Sequence, residues 1–589
     1  MKRILCLSLV LFAGLGLFVP DTVYATENQN VLSSEGTQQT KLVTGIVTDS
    51  KGEPIIGASV LVKGTANGTV TDMNGEFSIQ TSAGSTLVIS YIGYTKKEVT
   101  IGSVSSYTIT LEEDAQNLGE IVVTAMGIKK ERKALGYSIQ DVNSEELTRN
   151  KTPNVLNSLN GKIAGVNVTQ AGGSAGAGAQ VVLRGGTSLE RDNQPLFVVD
   201  GIIYDNSTPL GGDSGFDGAQ RTATTLGNRL MDINPEDIEN MSVLKGPAAA
   251  ALYGSRAAAG VIIITTKKGN TDGSTEVTFS TRLTTSWVNR LPEQQSTYKR
   301  GEYLAGGSLE TDWVYKSWGG KFGSGEKMYN NIKDFFQTGA SYDNTLTVSG
   351  GNQNGSFYLS VARFDQKGIV PETGFDKTTF RFNGDRHYGN LTVAANVSLS
   401  IANTDKTLTS SGLYNMNSNG AMETVYTWAR SENMKHYLNE DGSKYRLFQS
   451  LDPSNDRLAS DEENPYWIIN KNKMTDKTTR FTGSIAPSYK ITDWLNVNYR
   501  AGYDRYTTND YTYIAAGGAV RDIYQNGRLS TNDVTYEYLT SNFMINANQK
   551  FGDFDLNLLL GHSLKIQKPF VSAEQDIILK YLTLRVLKI

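Results

Sequence analysis

At 589 residues the chain is several times the size of an average domain, so a single core is excluded and several domains are expected. Lys and Arg number 56 against 60 Asp and Glu, a formal charge of −4, which leaves no basic surplus for phosphates and excludes nucleic acid as a partner. A hydrophobic share of 39% excludes a bundle of membrane helices, and 59 glycines with 29 tyrosines against 20 phenylalanines lean towards turns and β-structure.

Residues 1–25 read as a secretory signal. Lys2 and Arg3 precede a short apolar run, Ile4 to Val19, and Val23-Tyr24-Ala25 offers small or β-branched residues where a signal peptidase reads, with cleavage expected after Ala25. The run is shorter than the roughly 20 residues a spanning helix needs. Cys6, the one cysteine, lies inside it, so the mature chain has no disulfide and no Cys-ligated metal. Export points to the periplasm, the cell surface or the outer membrane. Residues 26–40, rich in Asn, Gln, Ser and Thr, form a linker.

Residues 41–112 carry short strands at Leu42–Thr48, Ala58–Val62, Phe77–Ile79, Thr86–Tyr91, Lys97–Thr100 and Tyr107–Leu111, separated by turn chemistries such as Asp72-Met73-Asn74-Gly75. Six or seven strands in this length predict a small β-sandwich. Gly45, Pro54, Gly57-Ala58, Gly64-Thr65, Thr71-Asp72, Gly75 and Phe77 together resemble the carboxypeptidase-regulatory-like domain. The resemblance implies a transthyretin-like sandwich without a peptidase site.

Residues 113–128 form a second linker around an extended tract, Leu118 to Ala125. Residues 129–270 mix helix and strand. Helix starts are expected at Thr152–Leu159 and Asn234–Ile238, a helical turn at Ala248–Tyr253, and strands at Gly165–Thr169, Gln180–Arg184, Pro195–Val199, Met241–Leu244 and Gly260–Thr266. The segment is α+β.

From residue 271 to 565 the pattern changes to tracts of about ten residues with strict alternation. They are Val277–Leu283, Asn344–Ser349, Phe357–Phe364, Thr378–Arg386, Leu391–Ile401, Phe481–Tyr489, Leu495–Tyr503, Tyr538–Gln549 and Phe554–Leu560. Apolar on one face and polar on the other, they predict an antiparallel transmembrane β-barrel. Trp287, Tyr358, Phe364, Tyr388, Trp494, Tyr503 and Tyr506 are expected as interfacial aromatics. Gly389-Asn390 and Asp553 mark tight turns, and Asn403 to Lys477 a long, ligand-facing loop. Beyond Gly561 the alternation fails, and residues 566–589 read as an aberrant tail.

Five stretches of the α+β segment carry a stronger signal. They are Leu156–Val166, Leu183-Arg184-Gly185-Gly186, Asn193–Gly201 (ending Asp200-Gly201), Asn234–Glu239 running on through Val243 to Tyr253-Gly254-Ser255-Arg256, and Gly260–Gly269. Together and in this order they resemble the plug of SusC/RagA-type TonB-linked outer-membrane transporters. The resemblance covers Lys41 to about Gly561 and implies a multi-domain fold: sandwich, α+β plug, then a barrel of about 22 strands, of which about nine are legible here. It implies that Glu120-Ile121-Val122-Val123-Thr124-Ala125 is the TonB box, an exposed β-branched strand able to add to a sheet edge on TonB. It also implies a SusD-like surface lipoprotein partner, contact with outer-membrane lipid, and import of a glycan or peptide. Arg184, Gly185, Gly186, Asp200, Gly201, Tyr253, Gly254 and Arg256 are read as structural members of the plug, the two arginines in plug turns or against the wall. With about nine strands the barrel has open edges, which lipid does not tolerate, so a truncated or frameshifted product without transport is expected.

No enzyme is expected. Gly172-Gly173-Ser174-Ala175-Gly176 fits a nucleophile elbow in letters only, since no helix follows and His387, His436 and His562 are scattered. The histidines give no zinc spacing, Asp461-Glu462-Glu463 reads as a solvated charge run, and no cofactor or metal site is expected. The competing class is a surface adhesin or structural sandwich array, distinguishable because it lacks a heat-modifiable barrel.

Overall fold

Alternation in Glu76–Ser82 turns Phe77 and Ile79 inward and Glu76, Ser78 and Gln80 outward, and the same period sets the other strands of the N-terminal unit. The computed structural model describes residues 40–578 except 113–120, 124–128, 132–138, 187–192, 208–226, 312–315, 409–419, 447–462, 519–525 and several gaps of one to three residues. The expected signal with its Ala25 cleavage point, the first linker, and Glu120, Thr124 and Ala125 therefore lie outside the described residues.

The N-terminal unit holds seven strands: β1 (Thr40–Thr48), β2 (Ser59–Val62), β3 (Gly68–Val70), β4 (Glu76–Ser82), β5 (Thr86–Ser90), β6 (Lys97–Thr100) and β7 (Ser106–Thr110). They form two sheets, ordered β4-β1-β7 and β3-β2-β5-β6, with β1 and β7 parallel. Val43, Val47, Val60, Phe77, Ile79, Leu87, Ile89, Ile109 and Leu111 make the core between them. At Asp72 the side chain accepts from the backbone N–H of Asn74 (2.9 Å) and Glu76 (2.8 Å), and Gly75 supplies a φ of 73°. Gly45 is required by contact: a Cβ there would lie 2.5 Å from the Tyr107 carbonyl oxygen and 2.7 Å from the Phe77 ring.

The second unit begins with a two-stranded ribbon, β8 (Ile121–Val123) antiparallel to β9 (Lys129–Glu131). The α+β segment follows: β10 (Ile139–Asn143), β11 (Val166–Gln170), β12 (Ala179–Leu183), β13 (Leu196–Val199), β14 (Ile202–Tyr204), β15 (Ile238–Leu244) and β16 (Val261–Thr266). Five of these build one mixed sheet, β10-β15-β16-β13-β14, and β11 and β12 form a separate hairpin. Leu147, Leu156, Leu159, Val181, Phe197, Leu230, Met241 and Ile262 close its core. The helix expected from Asn234 is one 3₁₀ turn, Pro235–Asp237, after which Ile238 is already strand and pairs with Thr266. Asn234 caps Glu236 and Pro235 suits the first turn, but neither can lengthen a helix once Ile238 joins the ladder.

The remaining strands are β17 (Thr275–Ser286), a small ribbon of β18 (Glu302–Tyr303) and β19 (Leu309–Glu310), then β20 (Gly339–Asn352), β21 (Gly355–Lys367), β22 (Gly374–Tyr388), β23 (Leu391–Lys406), β24 (Lys473–Lys490), β25 (Leu495–Ile514), β26 (Arg528–Phe551) and β27 (Phe554–Ile578). β17 and β20–β27 pair in chain order as one nine-stranded antiparallel sheet that is not closed into a barrel. Each of the nine expected tracts lies inside one of these strands. Two-residue connections join β20–β21, β22–β23 and β26–β27 at one end. The long connections gather at the other around Ile332, Phe335, Leu408, Val425, Trp428, Ile468 and Ile514.

Two expectations are corrected by this sheet. The tail, whose alternation fails beyond Gly561, is paired as strand to Ile578, its last residues opposite Arg528–Thr535 of β26. Main-chain bonds carry that ladder, with an irregularity between Thr535 and Glu537. The long loop is shorter than 403–477, because β23 and β24 extend into it, and it carries short helices at Ala421–Thr427 and Pro465–Lys471. Tyr358, Phe364 and Tyr506 are buried on the inner face rather than placed in interfacial girdles, whereas Trp287, Tyr388 and Trp494 are exposed at strand ends. Among the described residues no helix is long and apolar enough to cross a membrane.

Candidate functional site: the plug against the wall

Alternation gives each wall strand two unlike faces. Val361, Phe380, Phe382, Leu399, Ile401, Phe481, Ile485 and Leu539 are exposed on the outer face, while Ser360, Lys377, Thr379, Arg381, Asn383, Arg480 and Asp504 are buried on the inner one. The inner charges meet the α+β segment, which therefore sits against the polar face of the sheet.

Arg381 reaches Asp200 (3.3 Å) and Asp237 (3.5 Å), and Asn383 donates to Thr266 Oγ1 and the Lys267 carbonyl, both at 2.7 Å. Tyr358 donates to Asp237 at 3.1 Å. Burial pushes the Asp237 carboxyl above the usual carboxylate range, against the opposing pull of Arg381. Lys377 donates to the carbonyls of Met231 (2.6 Å) and Ile233 (3.0 Å). A second group centres on Arg480, which grips Asp504 with two bonds (2.8 and 2.5 Å), donates to the Asp205 carbonyl (2.9 Å) and lies 3.2 Å from the Tyr204 ring centre. Tyr506 donates to Asp205 Oδ2 at 2.7 Å, and Arg229 bonds Thr478. Lys151 pairs with Glu236 at 2.8 Å and with Asp343 of β20. These are charged contacts in a low-dielectric seam, where paired groups hold and unpaired ones are costly.

The residues singled out in the sequence divide between this seam and the turns behind it. Asp200 and Gly201, with φ of 48° and 85°, form the two-residue turn between β13 and β14, the geometry that favours Asp-Gly. Asp200 also accepts from the Thr266 N–H (3.0 Å) and hydroxyl (2.8 Å), which fixes the tip for Arg381. Arg184 is exposed, with φ of 59°, and its N–H bonds the Gly165 carbonyl at 2.9 Å; Gly185 follows at φ 86°. Gly186 is exposed beside Asn193. Gly254, at φ 81°, opens the 3₁₀ turn Ser255–Ala257, and Arg256 leaves that turn towards the wall, 5.6 Å over the Tyr538 ring and 3.3 Å from its hydroxyl. Tyr253 packs against the cluster shared with Tyr506, Tyr536 and Tyr538. Of the box, Ile121–Val123 is the described strand β8.

Sequence reasoning missed Lys377, Arg381, Asn383, Arg480 and Arg500. For the four charged ones the available signal was a charge on the polar face of an alternating tract; neutral Asn383 gave none. Among the described residues no group of three or more His, Cys, Asp or Glu side chains could hold a metal.

Comparison with known proteins fits this arrangement. Residues 43–123 match the CarboxypepD_reg-like domain, and residues 131–261 match the TonB-dependent Receptor Plug Domain. The TonB-dependent receptor SusC of Bacteroides thetaiotaomicron is 36% identical over 354 residues, 60% of this chain and 33% of that protein. The chain is similar to the SusC/RagA-type TonB-dependent receptors. The TonB-dependent receptor P26 of Formosa agariphila is 30% identical to this receptor chain over 516 residues, 84% of the chain and 47% of P26. The receptor thus spans half or less of the length of these two relatives. Its fold is shared with the RagAB peptide importer in the "open-open" state, at a TM-score of 0.59 and 20% identity, covering 78% of this chain and 50% of that one.

Proposed function

We propose that the receptor serves TonB-driven uptake of a large nutrient, a glycan or a peptide, across the outer membrane. The observation that carries this is the seam itself. A plug bound to the inner face of the wall by buried ion pairs obstructs free diffusion along that face, so passage requires work on the plug. The outer membrane has no ATP, so the work must arrive mechanically, through a partner that holds an exposed strand.

Glu120–Ala125 is the segment proposed to be held. Its described part, Ile121–Val123, is already extended and belongs to a ribbon of only two strands, which leaves a main-chain edge for strand addition. In this reading residues 1–25 direct export with cleavage after Ala25, the wall strands span the bilayer with their apolar face outward, and a SusD-like lipoprotein delivers the solute at the long-loop end. The fold shared with the RagAB peptide importer leaves a peptide and a glycan equally open. In an intact receptor whose wall is closed into a barrel, deleting Glu120–Ala125 should abolish energised uptake and leave solute binding to whole cells unchanged. Uptake that survives the deletion overturns the reading.

A further inference from the structure

Between the plug and strands β21–β25 lies a recess of about 140 Å³ near the short-turn end of the wall. On the wall side it is lined by small residues, Ser356, Gly384, Ala394, Ser484 and Ala486, and on the plug side by Tyr253 and the Asp200-Gly201 turn. Arg500 of β25 enters it against the Gly201 backbone; a Cβ at Gly201 would overlap the guanidinium. The two carboxylates of the recess are already engaged. Asp200 is held by Thr266 and Arg381, and Asp385 accepts from Ser356 (2.5 Å) and faces His387 (3.2 Å). Half-buried Arg500 makes no hydrogen bond or ion pair with any described residue, and exposed Lys268 lines the same recess. A guanidinium with no hydrogen-bond partner among the described residues, drawn electrostatically to an Asp200 whose oxygens Thr266 and Arg381 already engage, presents a fork that matches a carboxylate.

We infer that this recess is an anion site in which Arg500, with Lys268 beside it, takes a carboxylate group of the transported solute as it passes between plug and wall. The inference rests on the transport reading and narrows its substrate class to solutes bearing a carboxylate. The volume holds one such group with several waters and not a whole oligomer. Two sources share this chemistry, a peptide C-terminus and an acidic sugar.

The test is equilibrium binding to the full chain in detergent, with acetyl-trialanine and tri-galacturonate as probes and acetyl-trialanine amide and maltotriose as their neutral counterparts. At least one acidic probe should bind tenfold or more tighter than its neutral counterpart, and which one does so separates the two sources. Arg500→Gln should abolish that preference, Arg500→Lys should restore part of it, and Arg505→Gln, on the same strand but facing outward, should leave it intact. Equal binding of acidic and neutral probes, or a preference that survives Arg500→Gln, overturns the inference. Should Arg500→Gln fail to fold, phenylglyoxal labelling of Arg500 in the unaltered chain decides: the preferred acidic probe slows it, and labelling unaffected by either acidic probe overturns the site. None of these measurements involves TonB. Equal binding of acidic and neutral probes by the unaltered chain, while deletion of the box from an intact receptor still abolishes uptake, removes the anion site and leaves the transport reading standing.

Discussion

Arg480 is the most heavily committed side chain of the seam, and its removal tests whether buried charge holds the plug in place. It is 2% exposed, bonded twice to Asp504, which is fully buried, and lies 3.6 Å from Asp232 and 2.9 Å from the Asp205 carbonyl. Arg480→Met keeps the length and the apolar stem but strands the buried Asp504 carboxylate and leaves Asp232 with Arg229 alone. Breaking a buried pair from one side costs about 3–5 kcal/mol, because the remaining charge stays desolvated. At about 1.4 kcal/mol per decade, that is a hundredfold to several-thousandfold shift towards the opened plug. The assay is chemical unfolding of the chain in detergent, with protease cleavage reporting plug release. Arg480→Met/Asp504→Leu should recover much of the loss, since a buried pair replaced by apolar groups is often near neutral. Arg363→Met provides the comparison: its partners Asp365 and Asp376 lie at an exposed site, and the expected change is about 1 kcal/mol or less. A loss below about 1 kcal/mol for Arg480→Met, or single-site losses that simply add in the double variant, would refute the argument.

Two further predictions concern the plug and the sandwich. Asp237 has a folded pKa raised by burial, so the folded state retains a proton that the unfolded chain releases. Its contribution therefore makes stability fall as pH rises from the ordinary carboxylate range through the raised value; Asp237→Asn should flatten that part of the pH–stability profile, and an unchanged slope would contradict the assignment. In the sandwich, produced as residues 41–112, Gly45→Ala forces apart Tyr107 and Phe77 and is expected to cost about 1–3 kcal/mol in thermal unfolding. Gly102→Ala, whose nearest neighbour is the Tyr107 hydroxyl at 4.0 Å, should change stability by less than about 0.5 kcal/mol. Equal effects at the two glycines would show that packing does not decide.

Strand positions and turn chemistry were legible because they are local. A period of two marks a strand wherever one face is buried, so all nine wall tracts and six of the seven sandwich strands could be read without knowing their neighbours, while the three-residue β3 was too short to show a period. Asp200-Gly201 could be read as a turn for the same reason, since the pair itself favours positive φ. Local signals also misled. Asn234-Pro235 opens a helical turn in any context, but only the pairing of Ile238 with Thr266 ends it after three residues.

What the tertiary structure alone decided is which face points where and who meets whom. Alternation cannot say whether the polar face of a wall strand is solvent or plug, and so Tyr358 and Tyr506 looked interfacial when they are buried against Asp237 and Asp205. Arg381 and Asp200 are 181 positions apart, and Arg480 and the Asp205 carbonyl 275; no local pattern couples them. Their pairing exists because folding removes both partners from water, where an unmatched charge is too costly to remain.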